Sequence, residues 1–273
     1  VLVPPTDTAV SRGPGASMAR GGTLMKIVVI GGTGLIGSKL VTTLGEHGRQ
    51  ALAASPNTGV NTLTGEGLSD ALAGASVVVD VANSPSFEDA AVMAFFETST
   101  RNLMAAETTA RVGHHVALSV VGTERLAASG YFRAKIVQES LIKKSSIPYS
   151  LVHATQFFEF VTRMADAATE SGMVRVAPVL FQPIAGEDVA EVVGRTAVGS
   201  PLSETLEVAG PEQFRMDEFF HTALAARNDP REVVPDPHAR YFGAELSEQT
   251  LVPAGPAILG EIRYADWPGR TGK

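Results

Sequence analysis

The chain has 273 residues, 44% of them hydrophobic, with no cysteine and a formal charge of −7. That is enough apolar material for a substantial core, in one large domain or in one domain carrying a smaller lobe. The absence of cysteine excludes disulfides, thiol catalysis and thiolate metal sites; the acidic balance and lack of Lys/Arg runs argue against a nucleic-acid partner, and no apolar stretch is long enough to span a bilayer.

Residues 1–24 are rich in Pro, Gly, Ser, Thr and Ala without periodicity and read as a disordered tail. They lack the charged and then apolar organisation of a signal peptide, which with the missing cysteine fits a cytoplasmic protein. An ordered core begins at Met25. Short β-branched runs at 26–30, 50–55, 76–82, 114–122 and 149–154 alternate with helical patterns at 35–47, 67–73, 87–112 and 131–145. This is the rhythm of βαβ units feeding a doubly wound parallel sheet, and near-continuous apolar runs such as KIVVI fit strands buried on both faces. The α/β core is expected over 25–155. Residues 156–273 are expected to form a small C-terminal lobe and arm, with 184–199 returning to the core. Within that half the pattern predicts a helix over 157–171, strands within 172–185, a helix from Asp188 as its N-cap, a strand at 205–210 and a helix at 215–227. An extended, turn-rich arm follows Asn228.

KIVVIGGTGLIGSKLV passes from strand to helix through Gly31, Thr33, Gly34 and Gly37, with Leu35 and Ile36 at the helix start. A tight turn needs Gly31, close approach to a pyrophosphate needs Gly34, and helix-on-strand packing needs Gly37. The helix N-terminus offers free N–H groups and a favourable dipole to phosphates. The second strand ends in neither a carboxylate for the ribose of NAD nor a cation for the phosphate of NADP. Ser55, Asn57 and Thr58 stand there instead, which favours NADP and allows NAD. After the third strand, Ala82 and Asn83 fall at the cofactor crevice. Tyr131 and Lys135, four apart, share one face of a helix, either as a catalytic pair or as ordinary residues beside an i,i+4 contact of Lys135 with Glu139.

IGGTGLIGSKLV, FFETSTRNLMAAETTARVGHHVALSVVG and YFRAKIVQESLIKKSSIPYSLVHATQFFEF together resemble the atypical short-chain dehydrogenase/reductases, in particular the NmrA-like branch, over residues 25–195. That branch includes NADPH-dependent quinone reductases and nucleotide-sensing regulators. The resemblance implies a Rossmann core with a substrate lobe at its carboxyl edge. It also implies an oxidoreductase acting on a small apolar carbonyl or quinone, with Tyr131 as proton donor. Lys135 would lower the Tyr131 pKa and hold the nicotinamide ribose; a cation about 4 Å away contributes up to ~4 kcal/mol at an effective dielectric near 20. Ser119 would orient the substrate oxygen, although family strands often place that serine one residue later, where Val120 stands. His153, Gln156, Phe157 and Phe158 are expected to line the nicotinamide end of the pocket. No metal is called for. The alternatives are a sensor of nucleotide state without turnover and, third, epimerase or dehydratase chemistry. Exposed apolar positions on a sheet-flanking helix are compatible with a homodimer.

Overall fold

The computed structural model describes residues 25–272; the tail expected over 1–24 lies outside them. The first half runs β1 (Lys26–Ile30), α1 (Leu35–Glu46), β2 (Gln50–Ala54), α2 (Leu68–Leu72), β3 (Val77–Asp80), α3 (Asp89–Ala110), β4 (His114–Val120), α4 (Gly130–Lys144) and β5 (Tyr149–Ala154). The second half adds α5 (Val161–Ala167), β6 (Thr169–Glu170), β7 (Met173–Val176), β8 (Leu180–Phe181), α6 (Gly186–Val198), β9 (Thr205–Ala209), β10 (Phe214–Arg215), α7 (Met216–Ala226), β11 (Glu232–Pro235) and β12 (Ile258–Leu259). Seven strands form one all-parallel sheet in the order β12-β9-β5-β4-β3-β1-β2, the doubly wound Rossmann-type arrangement expected.

Alternation along the strands builds both faces. Ile27, Val29, Val77 and Val79 pack against Leu40 and Leu44 of α1 and Val189 and Val193 of α6. Val28, Ile30 and Val78 pack against Leu68 and Leu72 of α2 and Leu103 of α3. A third core, in the lobe, gathers Phe158, Phe181, Phe219, Phe220, Tyr264 and Trp267. Among the described residues no helix is long and apolar enough to cross a membrane.

Two local expectations are corrected. The helix predicted over 157–171 is shorter: a 3-10 turn at Phe158–Phe160 leads into α5, and the chain is already in β6 at Thr169. The Phe158 N–H donates across to Ile184 O at 2.9 Å, so it is spent on tertiary structure. Asp188 does not cap α6; Ala185 holds that position. The Asp188 carboxylate, in the first turn, instead accepts the backbone N–H groups of Glu261 and Ile262 at 3.1 and 3.0 Å and pins the C-terminal arm. Asp188→Ala is therefore expected to lower stability by about 1–3 kcal/mol in urea unfolding, with protease cleavage appearing near 255–262.

Candidate functional site

Gly31 turns the chain out of β1 at φ +76°, and a Cβ there would meet the Ala82 backbone at 2.8 Å, so the loops after β1 and β3 cross in contact. At Gly37 a Cβ would lie 2.2 Å from Gly31 O, which lets α1 start against the turn. Gly34 differs: a Cβ would meet only Gly31 O, at 3.2 Å, leaving the space above the loop clear. It is the N-cap of α1, with no side-chain cap and no acidic residue in the first turn. The N–H groups of Leu35, Ile36 and Gly37, normally served by a Ser, Thr, Asp or Asn cap, face that space. The cradle fits the diphosphate of a dinucleotide.

The polar residues after β2 close one side of it. Ser55 Oγ accepts the Thr33 N–H at 3.3 Å, and the Thr33 hydroxyl donates to Asn57 Oδ1 at 3.2 Å. Thr58 turns inward: its hydroxyl accepts the Ser55 N–H at 2.9 Å in a capping box. Of the three expected ribose contacts, Ser55 and Asn57 border the glycine loop and Thr58 supports the turn beneath it. Asn83 lies exposed at the crevice, its Oδ1 accepting the Ser84 N–H at 2.9 Å.

Tyr131 and Lys135 lie in the first two turns of α4, at the same edge. Both are drawn in from the surface, which removes the reading of an exposed helix face. Lys135, 2% exposed, donates to Leu118 O at 2.9 Å and to Gln138 Oε1, and its ammonium lies 4.6 Å from the Phe96 ring centroid. Gln138 in turn donates to Asp80 Oδ2 at 3.0 Å. Burial pushes Lys135 down to about 8 against the pull of Asp80 and Glu139. The expected lowering of Tyr131 is not found. Burial pushes that phenol up, opposed only by the nearby Asn83 side chain, because the Lys135 ammonium is turned to Leu118 and Gln138.

Ser119 is not brought to Tyr131. Its hydroxyl donates to Glu139 Oε1 at 2.6 Å, while Val120, pointing the other way on the pleat, packs with Tyr131 against the lobe core. His153, paired with Ser119 in register, belongs to the same cluster: its Nε2 lies 2.9 Å from Glu139 Oε1. It does not line the crevice. Burial would raise Glu139, but His153, Ser119 and Lys143 outweigh it and hold the carboxyl at about 2. A depressed carboxyl stabilises the fold above its ordinary pKa of 4.5, and that contribution disappears as pH falls through about 2. Glu139→Gln should therefore lose on the order of 3 kcal/mol at neutral pH, and its urea midpoint should converge with that of the natural chain in strong acid.

Of the remaining pocket candidates, Phe158 is core, 1% exposed beneath Tyr264 and Trp267, and Phe157 stacks on Phe160. Gln156 does reach the site, through a residue the sequence left unmarked. Tyr241, from the C-terminal arm, donates its hydroxyl to Met164 Sδ at 3.8 Å and lies in the neighbourhood of Gln156 and Tyr131. Phe87, after β3, lies over Tyr131 with centroids 5.5 Å apart and meets Phe242 at 5.9 Å. Nothing in the turn-rich arm, with its lack of periodicity, signalled Tyr241 or Phe242. Asp80 did carry a signal, as a carboxylate ending the apolar strand VVVD. Behind Tyr241 and Phe242 the lobe holds a cleft of about 140 Å³ that includes Met164, Arg175 and Met216. Among the described residues no group of three or more His, Asp or Glu is arranged to hold a metal ion.

No family model matches the sequence, and no curated protein matches it. Solved structures match by fold. MoeE5 in complex with UDP-glucuronic acid and NAD superposes with a TM-score of 0.67 at 18% identity, over 90% of this chain and 96% of that one. A dTDP-4-dehydrorhamnose reductase from Clostridium acetobutylicum gives 0.65 at 15% identity, over 83% and 91%. A short-chain dehydrogenase/reductase superfamily protein from Agrobacterium tumefaciens with bound NAD gives 0.62 at 16% identity, over 83% and 94%. At these identities the likeness establishes the fold.

Proposed function

We propose that this chain is a nicotinamide-dinucleotide-dependent oxidoreductase of the short-chain dehydrogenase/reductase type, NmrA-like in its sequence pattern, that reduces a small apolar carbonyl or quinone. The observation that carries the reading is the convergence, at one carboxyl edge, of the open cradle at Gly34 with Tyr131 and Lys135. The dinucleotide, when bound, supplies the hydride. Gly31, Gly34, Gly37 and the first N–H groups of α1 hold its diphosphate, and Ser55 and Asn57 meet the adenosine ribose, with NADP favoured because no carboxylate stands there to repel a phosphate. Lys135, held by Gln138 and Asp80, is the cation for the nicotinamide ribose. Tyr131 keeps its proton through the neutral range, because burial disfavours the phenolate, and gives it to the substrate oxygen as charge develops there. The three aromatic neighbours of Tyr131, Phe87, Phe96 and Phe132, keep bulk water from the transfer.

One observation favours a second reading, a nucleotide sensor without turnover: the Lys135 ammonium engages Leu118 and Gln138 and leaves the Tyr131 phenol unassisted. The test is a panel of carbonyls and quinones with NADH and with NADPH, following loss of reduced cofactor absorbance. Oxidation dependent on substrate, faster with NADPH, is expected. Tight nucleotide binding with no oxidation across the panel would leave the sensor.

A further inference from the structure

Gln156 follows β5 at the carboxyl edge of the sheet, its backbone fixed where Ile184 N–H donates to Gln156 O at 2.8 Å. The residue is 6% exposed, yet neither its side-chain oxygen nor its side-chain nitrogen completes a hydrogen bond within the protein. Two orphaned atoms on one buried amide destabilise a fold, and such groups need a reason to be there. The amide belongs to a row of polar groups: Tyr241 lies near it and donates its own hydroxyl to Met164 Sδ at 3.8 Å, Tyr131 connects to Tyr241 through the ring contacts of Phe87 and Phe242, and Asn83 lies near Tyr131. All four are uncharged. Aromatic rings border the row, with Phe242 at right angles to Tyr241 at 4.8 Å between centroids and Phe87 tilted against Tyr131 at 5.5 Å. Aromatic neighbours of this kind favour a flat, neutral ring, and an amide that offers a donor and an acceptor side by side suits a polar group beside the reacting carbonyl.

We propose that Gln156, with Tyr241 beside it, is the substrate-recognition element, and that the substrate is a flat, uncharged carbonyl compound carrying a second hydrogen-bonding group next to the carbonyl. This rests on the oxidoreductase reading and names its substrate class. Gln156 thereby takes the orienting task that Ser119, turned to Glu139, cannot perform. It is a positioning residue, and the proton still comes from Tyr131.

The test is calorimetric titration of the full chain, with and without saturating NADP+, using three probes of one shape. Isatin has a ketone flanked by a lactam, 1-methylisatin lacks the lactam N–H, and 1-indanone lacks the second polar group altogether. Isatin is expected to bind at least ~10-fold more tightly than 1-indanone, with 1-methylisatin between them. Gln156→Leu should erase that preference and raise Tm by about 2 °C or more, because it removes two unpartnered polar atoms from a buried position. A purely structural glutamine predicts the opposite, a lower Tm with all three probes weakened alike. Equal affinity of the natural chain for isatin and 1-indanone, or a preference that survives in Gln156→Leu, overturns the proposal. Because affinity is read without turnover, a preference for isatin in a protein that oxidises no NADPH would sink the oxidoreductase reading while leaving the recognition element in place.

Discussion

Tyr131→Phe is expected to lower turnover of a carbonyl substrate at least ~100-fold with NADPH affinity nearly unaltered, the range in which a positioned general acid contributes. The substitution is clean because the ring is held by ring contacts: Phe87, Phe96 and Phe132 surround it at centroid distances of 5.5, 5.9 and 5.3 Å, and all of these contacts survive loss of the hydroxyl. Thermal stability should therefore be kept, so a fall in rate reports chemistry. Unchanged turnover would remove Tyr131 as the acid. A quinone accepts hydride with less help from an acid, so a deep loss with a simple ketone and a shallow one with a quinone would place the proton transfer at Tyr131. The pH profile adds a second readout. Lys135 is a cation below about 8 and neutral above it. The kcat/KM for the dinucleotide, which reports groups of the free enzyme, should fall as pH rises through that value. Asp80→Asn, which withdraws a negative charge that favours the ammonium, should move the fall to lower pH.

The parts of this molecule that were legible in its sequence are those in which local pattern and tertiary role coincide. β1 and β3 are apolar except for Lys26 at the start of one and Asp80 at the end of the other, because helices cover both faces, and a run such as KIVVI fits a strand buried between two helical layers. The glycine loop was legible for a similar reason: Gly31 answers a positive φ in the turn itself, and Gly37 the approach of α1 to Gly31 O six residues earlier. β12 was invisible: two exposed residues, Ile258 and Leu259, join the sheet only because β9 offers an edge. The candidate site divides along the same line. Tyr131 and Lys135 share a helix and their spacing shows it. The partner that places the Lys135 ammonium is Asp80, 58 residues from the Gln138 that bridges them, and Tyr241, which lies near Tyr131, comes from an arm more than a hundred residues downstream. Ser119 failed for the smallest reason, strand parity: one position along β4 exchanges the crevice for Glu139.

The glycine loop allows binding and folding to be separated by two substitutions three residues apart. Gly37→Ala places a methyl 2.2 Å from Gly31 O and 2.6 Å from Gly32 Cα. Both are backbone atoms of the turn itself, so α1 has to move away from β1, and a loss of more than about 3 kcal/mol in unfolding is expected together with loss of nucleotide binding. Gly34→Ala asks almost nothing of the free protein. Gly34 sits at φ −80° and ψ −176°, extended backbone open to any residue, and the added methyl meets only Gly31 O at 3.2 Å. Its stability should stay within about 0.5 kcal/mol, the range of an unobstructed surface change. Dinucleotide affinity should nevertheless fall by about 100-fold, because the methyl stands where a phosphate approaches the first N–H groups of α1. Paired thermal melts and NADPH titrations read both effects. A Gly34→Ala protein that binds NADPH as tightly as the natural chain would mean that the phosphates do not lie over this loop, and the roles given to Ser55, Asn57 and Lys135 would fall with it.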